Sequence, residues 1–259
     1  MSDSGRILLD IADGIATITL DRAGKRNAMS PPMRREFGEH VTRVAADSSV
    51  RIVLLCANGE TFCAGADLID APTEPMAWRE RILLAQSQHA ALTRMGKIVI
   101  ACVQGAAVGG GAALALSADI LVMATDACLV FPFVRIGLVP DAGTAYLLQE
   151  KLGAGAALDL LLTGGTLDSD EALRLGLTRR VVPAGELRAT GRALAESLLA
   201  LPHEGLVLTK SLCRQSWARA FDAALAHEAD AFALASATPG HARAMQAMRA
   251  RLTNSNPER

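Results

Sequence analysis

Apolar and polar residues alternate in blocks along the first two thirds of the chain, and the blocks predict strands and helices in turn. Short apolar runs rich in β-branched residues predict strands at residues 15–20, 52–56, 98–103 and 120–124. The run at 52–56, IVLLC, has no polar position, which is typical of a strand covered on both faces. Apolar residues at helical spacing occupy much of the sequence between these runs. The chain therefore begins with an α/β core.

Local signals place the helices of this core. Ser30, followed by Pro31 and Pro32, predicts an N-cap with prolines in the first helical turn. Asp168, three residues before Glu171, predicts a second capped helix start. Further helices are predicted at residues 78–94, from the glycines at 109–111 to 117, at 142–150 and at 154–162, and further short strands at 128–131 and 180–182.

The strand pattern disappears beyond Pro183. The remaining sequence predicts helices at residues 186–201, 203–213, 217–236 and 241–252, followed by a polar, frayed tail at 253–259. We therefore divide the chain near residue 200, into an α/β core at 1–200 and an all-helical region at 201–259.

An uncharged stretch at residues 98–118 is long enough to span a bilayer. It contains four glycines, three of them consecutive at 109–111. A β-branched run, a glycine turn and an alanine-rich helix account for it better than a single membrane helix. We predict a buried strand, turn and helix here, and no membrane partner.

Composition narrows the class of protein further. The chain has 259 residues, 51% hydrophobic and 20% charged, with a net charge of -1, which is typical of a globular protein with a sizeable core. Balanced charge and only 3% aromatic residues argue against a nucleic-acid partner. The five cysteines form no CxxC pair and the histidines no HExxH pair, so we predict neither a disulfide framework nor a metal site. Charged residues near the start replace the apolar core of a signal peptide, which predicts a cytoplasmic protein.

Two loops rich in small residues each link an apolar strand to a helix, at residues 60–68 and 104–112. Small residues let a ligand approach the backbone, and a helix N-terminus leaves N–H groups unpaired. Two such N–H groups aimed at one point would form an oxyanion hole. The alternative is that the glycines only permit tight turns and close packing. Neither loop carries a phosphate-binding glycine motif.

Four segments resemble the crotonase (enoyl-CoA hydratase/isomerase) superfamily in their order and spacing: RNAM at 26–29, FCAGADL at 62–68, the glycine loop at 105–111 and GLVPDAG at 137–143. The resemblance implies a spiral of ββα units that binds and converts an acyl-CoA thioester. It also implies a C-terminal helical region that closes the pocket and packs a homotrimer or a dimer of trimers. Coenzyme A would enter as part of the substrate, and no separate cofactor is expected.

The resemblance also assigns individual residues. The backbone N–H groups of Ala66 and Gly110 would stabilise the oxyanion, with Lys25 and Arg26 near the CoA phosphates. The CoA moiety would further contact Ala64, Gly65, Ala66, Asp67, Leu68 and Gly110.

The sequence departs from the hydratases of this superfamily at their two glutamate positions. Ala113 stands at the first position and Phe133 at the second, and neither side chain can transfer a proton. This departure argues against ordinary hydratase activity.

Asp141 is the carboxylate that remains at a place where several isomerases of the superfamily carry a catalytic aspartate. A helix N-cap is the alternative role for this residue. We predict isomerisation of an unsaturated acyl-CoA through an enolate, with Asp141 as the proton shuttle. A non-catalytic acyl-CoA-binding protein, and a hydrolase or C–C lyase that uses His89, stay open as alternatives.

Other polar residues have weaker claims to a role in function. Asp67 and Asp119 are interpreted as braces of the backbone, and Cys63 has no adjacent base that would make it a nucleophile. Lys210 could reach the CoA phosphates, although a solvated lysine is the default.

Overall fold

A computed structural model describes residues 5–68, 71–215 and 218–254. In this part of the chain the strands are β1 Arg6–Ala12, β2 Ile15–Asp21, β3 Ile52–Ala57, β4 Ile98–Val103, β5 Ala106–Val108, β6 Ile120–Ala124, β7 Cys128–Val130, β8 Thr166–Asp168 and β9 Val181–Val182. The helices are α1 Pro31–Ala46, α2 Pro75–Arg94, α3 Gly110–Leu116, α4 Thr144–Leu152, α5 Ala154–Thr163, α6 Ser169–Arg174, α7 Leu187–Leu199, α8 His203–Gln215, α9 Ala218–Ser236 and α10 Pro239–Asn254.

Two sheets form the α/β core. The larger sheet has the strand order β1-β2-β3-β4-β6-β9; its first pair is antiparallel and the other pairs are parallel. The smaller sheet has the order β5-β7-β8. After β4 the chain adds β5 to the small sheet and returns through α3 to β6 in the large one. This alternation between sheets produces the repeating ββα units.

The strands predicted from apolar runs are confirmed, and β3 and β4 are buried along their whole length. Sequence reasoning missed β1, β5 and β8. The edge strand β1 pairs with β2 through a two-residue turn in which Asp13 and Gly14 both have positive φ. An Asp-Gly pair between two apolar runs is a hairpin signal, and it could have revealed β1. Strands β5 and β8 are three residues each, too short for any periodicity.

Both predicted helix caps are confirmed. Ser30 Oγ accepts a hydrogen bond from the Met33 N–H, and Asp168 Oδ1 accepts one from the Glu171 N–H at 2.8 Å. The helix predicted at 142–150 instead begins at Thr144, because the preceding corner is left-handed.

The uncharged stretch forms β4, β5 and α3, so the membrane-span alternative for residues 98–118 is wrong. The stretch forms three short elements rather than one long helix, and their apolar side chains pack into the main core. Within the described ranges, no helix is both long and apolar enough to cross a membrane.

The part of the chain after β9 that the structure describes is helical, as predicted. Helix α9 packs along α2, and it buries Phe221 and Phe232. The start predicted for this helix at Trp217 and the tail from residue 255 lie outside the described residues. The division of the chain near residue 200 into two functional units stays a prediction.

Candidate active site

The two small-residue loops lie side by side. The Cys63 N–H donates to the Ala106 carbonyl at 3.2 Å, and the Val108 N–H donates to the Cys63 carbonyl at 2.8 Å. These bonds join the first loop to β5, which forms part of the second loop. The contact allows little space: a Cβ added to Gly65 would lie 2.6 Å from the Val108 carbonyl oxygen. The tertiary structure therefore brings the two loops into direct contact.

Replacing Gly111 by alanine is expected to lower the free energy of unfolding by about 1–3 kcal/mol, because the added methyl overpacks the loop contact. Its Cβ would lie 2.3 Å from the Cys63 carbonyl oxygen. Gly155, in α5, is the matched control because nothing lies within 4 Å of a Cβ there. We expect Gly155→Ala to raise stability by roughly 0.4–1 kcal/mol. Urea unfolding measures both; equal effects in the two variants would contradict the close loop contact.

A third loop, at residues 22–29, supports the first one from outside. The fully buried Asn27 amide donates to the carbonyls of Asn58 and Thr61, and its oxygen accepts from the Arg22 N–H at 2.7 Å. The Ala64 N–H donates to the Arg26 carbonyl at 2.9 Å. This loop is thereby fixed against the candidate site.

The carboxylate of Asp67 also joins the loop at residues 60–68 to the loop at residues 22–29. Asp67 Oδ2 lies 2.7 Å from Arg22 Nη1, and both side chains are largely buried. The side chain is thus engaged within the protein, as the bracing interpretation expects. Lys25 and Arg26 are exposed on the supporting loop, beside Ala64. Their contact with CoA phosphates stays a prediction.

A cavity of about 100 Å³ lies between the loops and the helical region. Ala66 and Gly110, the two predicted oxyanion donors, both line it. Gly110 is the first residue of α3, so its N–H has no acceptor within that helix. The full lining is Ala64, Gly65, Ala66, Leu68, Trp78, Val108, Gly109, Gly110, Pro132, Phe133, Ile136, Leu138, Asp141 and Phe232.

Asp141 is the one ionisable side chain in this lining, as far as the structure describes it. Its Oδ1 is shielded from solvent and has no hydrogen-bond partner among the described residues. A Cβ added to Gly110 would lie 3.9 Å from this oxygen, so the carboxyl stands next to a predicted oxyanion donor. Burial raises the pKa of Asp141 to about 6, although the positive charges of Arg34 and Arg81 oppose the rise. A carboxyl with this pKa can accept and return a proton near neutral pH.

The N-cap alternative for Asp141 is wrong. Helix α4 has Gly143 at its N-cap position, and no side chain caps it. The Thr144 N–H is instead taken by the backbone carbonyl of Asp141, at 2.9 Å. The turn therefore leaves the carboxyl free of a capping role.

The two positions compared with the hydratase glutamates lie close to the cavity. Ala113 is fully buried in a small cluster with Ala85 and Ala142. The Phe133 ring lines the cavity, and its Cε1 lies 3.6 Å from a Cβ added to Gly109. Neither position offers a group that could move a proton or hold a water molecule.

The structure also shows the surroundings of the residues with weaker claims to a role in function: His89, Cys63, Asp119 and Lys210. His89 does not line the cavity, and burial together with the charge of Arg34 lowers its pKa to about 3. Burial raises the pKa of Cys63 to about 11, and its thiol donates to a backbone carbonyl. Lys210 pairs with Asp119, whose Oδ2 also accepts the Val99 N–H at 2.8 Å. The bracing role of Asp119 is confirmed, and Lys210 is not a free cation.

Sequence reasoning missed several residues of the site. Trp78 on α2 and Phe232 on α9 wall the cavity, with ring centroids 5.3 Å apart. Glu228, also on α9, accepts the Gly143 N–H beside Asp141. In the sequence, Phe221, Leu225 and Phe232 follow helical spacing, which indicates a buried face, but no local pattern indicates which loop that face meets.

Comparison with known proteins agrees with this geometry. The enoyl-CoA hydratase/isomerase family matches residues 10–251. The 1,2-epoxyphenylacetyl-CoA isomerase of Escherichia coli is 32% identical, over 86% of this chain and 87% of its own length. The crotonyl-CoA hydratase of Syntrophomonas wolfei is 32% identical, over 93% of this chain and 94% of its own length.

Solved structures show the same architecture. The enoyl-CoA hydratase structure from Mycobacterium avium subsp. paratuberculosis covers 93% of this chain and 97% of its own, with a TM-score of 0.86 and 26% identity. The predicted crotonase fold is thereby confirmed. With paired glycine loops around one cavity and this match over nearly its whole length, the chain belongs to the enoyl-CoA hydratase/isomerase family, whose members act on acyl-CoA thioesters.

Proposed function

We propose that the protein isomerises the double bond of an unsaturated acyl-CoA through an oxyanion-stabilised enolate. The observation that carries the proposal is the Asp141 carboxyl. Its Oδ1 is shielded from solvent and has no hydrogen-bond partner among the described residues, and the carboxyl is the one ionisable group described in the cavity lining. A single carboxyl suits an isomerisation, because the group that removes the proton can also return it.

The oxyanion donors in this proposal are the backbone N–H groups of Ala66 and Gly110. The thioester carbonyl would lie between them, where fixed donors stabilise developing negative charge by several kcal/mol without reorganisation. Because these donors belong to backbone held by loop-to-loop hydrogen bonds, they are oriented before substrate binds.

Asp141 carries the proton in both halves of the reaction. As a carboxylate it removes a proton from the carbon next to the thioester carbonyl, and the electron pair moves to the carbonyl oxygen. The protonated Asp141 then returns a proton to the dienolate two carbons further along, and the double bond moves into conjugation. Burial raises the pKa of Asp141 to about 6, which makes the carboxylate a stronger base and leaves it mostly ionised at neutral pH.

We also propose that the CoA phosphates bind near the exposed Lys25 and Arg26, and that the protein forms a homotrimer or a dimer of trimers. Exposed leucines on two helices support the assembly, since such side chains are often covered at interfaces. They are Leu158 and Leu162 on α5, and Leu208 and Leu212 on α8.

A panel of enoyl-, dienoyl- and aryl-acyl-CoA thioesters incubated in deuterated water tests the function. We expect a shifted double bond, with solvent deuterium entering during turnover and no added water in the product. Mass spectrometry distinguishes the outcomes: isomerisation keeps the mass apart from deuterium, and hydration adds one water. Binding without any reaction across the panel would favour the acyl-CoA-binding alternative, and released acid or a shortened chain would favour the hydrolase or lyase.

A further inference from the structure

We propose that Glu228, on α9 of the helical region, is a positioning residue that holds the Ala142–Gly143 corner and thereby aims the Asp141 carboxyl at the oxyanion loops. The inference rests on the proposed function of Asp141. It adds a residue that lies outside the α/β core and outside the cavity lining.

The corner after Asp141 needs external support. Ala142 has φ +55° and Gly143 has φ +81°, so two consecutive residues are left-handed. Few residues other than glycine adopt this conformation, and they keep it only where the surrounding structure holds them. Ala142 is also buried, at 1% exposure. Since Asp141 directly precedes this corner, relaxation of Ala142 would turn the catalytic carboxyl away from Gly110.

Glu228 supplies that support. Its Oε1 and Oε2 lie 3.1 and 3.0 Å from the Gly143 nitrogen, and the Ala142 N–H faces the same carboxyl. Successive N–H groups in a turn of this kind form a concavity for an acceptor oxygen. Gln86 on α2 fixes the other side, because its Nε2 donates to Glu228 Oε1 at 2.8 Å. The carboxyl thus connects the corner to two helices.

The same face of α9 contacts the corner and the cavity. Phe221, Leu225, Glu228 and Phe232 follow each other at helical spacing. The Phe221 ring lies against Gly143, where an added Cβ would be 2.7 Å from its Cε2. Phe232 lines the cavity itself. The position of the corner is therefore coupled to the position of α9.

The protonation of Glu228 fits a supporting role. Burial raises its pKa to about 8, and the nearby negative charge of Asp141 acts in the same direction. At pH 7 Glu228 is therefore mostly a neutral acid, whereas Asp141 is mostly ionised. A neutral acceptor holds the corner without placing a second negative charge beside the base. Glutamine is then the conservative replacement, since it is neutral and reaches the same distance.

Three variants of Glu228 separate positioning from acid–base chemistry. Glu228→Gln keeps the reach and the acceptor oxygen, Glu228→Asp keeps the acid but shortens the reach, and Glu228→Ala removes both. We expect kcat to fall about 10²-fold in the Asp and Ala variants with KM unchanged, since small displacements of a reacting group cost this much. We expect kcat of Glu228→Gln to stay within about threefold of wild type. Asp222→Ala, which removes an exposed carboxyl of α9, is the control and should be unchanged.

Amide hydrogen exchange of the segment at residues 139–146 gives a readout besides activity. Protection should fall in the Asp and Ala variants and persist in the Gln variant. The Gln and Asp variants decide the matter if the Ala variant does not fold.

The inference would be overturned if all folded variants kept the wild-type kcat. It would also be overturned if Glu228→Gln lost activity while Glu228→Asp kept it, or if the variants raised KM without lowering kcat. Asp141→Asn is assayed in parallel: if it keeps full turnover, the proposed function itself fails. If Asp141→Asn is inactive and the Glu228 variants are unaffected, only the inference about Glu228 fails.

Discussion

Asp141→Asn is expected to lower isomerase turnover by about 10²-fold or more, because the amide cannot accept the substrate proton. Acyl-CoA affinity should change little, since the proposed oxyanion donors are backbone N–H groups of Ala66 and Gly110, which the substitution leaves in place. Turnover of the wild-type enzyme should rise with pH through about 6, as the Asp141 carboxyl loses its proton. Steady-state kinetics on the best substrate of the panel measures all three quantities.

The same variant should be more stable than wild type at neutral pH. The folded-state pKa of Asp141 is raised to about 6, so the wild-type protein loses stability as pH rises from the unfolded pKa, near 4, to about 6. Asparagine does not titrate, so the variant has no such loss. Its free energy of unfolding should therefore exceed that of the wild type by an amount that grows between about pH 4 and 6 and reaches the order of 1–3 kcal/mol above about pH 6. Asp159→Asn, on the exposed face of α5, is the control and should change neither turnover nor stability. Undiminished turnover in Asp141→Asn would remove this residue from the mechanism.

Hydration of crotonyl-CoA is expected to be very slow, at least 10²-fold below an ordinary enzyme turnover on the order of 10 per second. Hydration needs a placed water molecule and groups that move its protons. In the described lining, Asp141 is the one side chain able to do this, and the Phe133 ring occupies the space near Gly109. Absorbance of the conjugated thioester follows the reaction, and the deuterium panel supplies the active comparison.

Restoring a single glutamate should not produce a hydratase. Ala113 is fully buried against Ala85 and Ala142, so Ala113→Glu forces a larger, charged side chain into a packed site. We expect this variant to be less stable than wild type and no faster in hydration. Rapid hydration by the wild-type chain would mean that Ala113 and Phe133 do not occupy the glutamate positions.

Much of the core could be predicted because its signals are local. The runs at 52–56 and 98–103 are buried strands for the reason that predicted them: each lacks a polar face. Ser30 and Asp168 cap their helices through contacts only three residues away. The predicted start of α4 lies two residues too early because Ala142 is left-handed, a conformation that an alanine in the sequence does not indicate.

By itself, the sequence determined the α/β core, its helical end, and the two loops whose small residues allow close approach of backbone and ligand. The resemblance predicted that these loops and Asp141 act at one site, but only the tertiary structure showed the cavity that they share and its walls, Trp78 on α2 and Phe232 on α9. Only the tertiary structure also showed the hydrogen bond that Glu228 accepts from the Gly143 N–H, 85 residues away in the sequence. The physical reason is range: periodicity and capping act over a few residues, whereas burial, orphaned polar atoms and shifted pKa values arise where distant segments meet and exclude water.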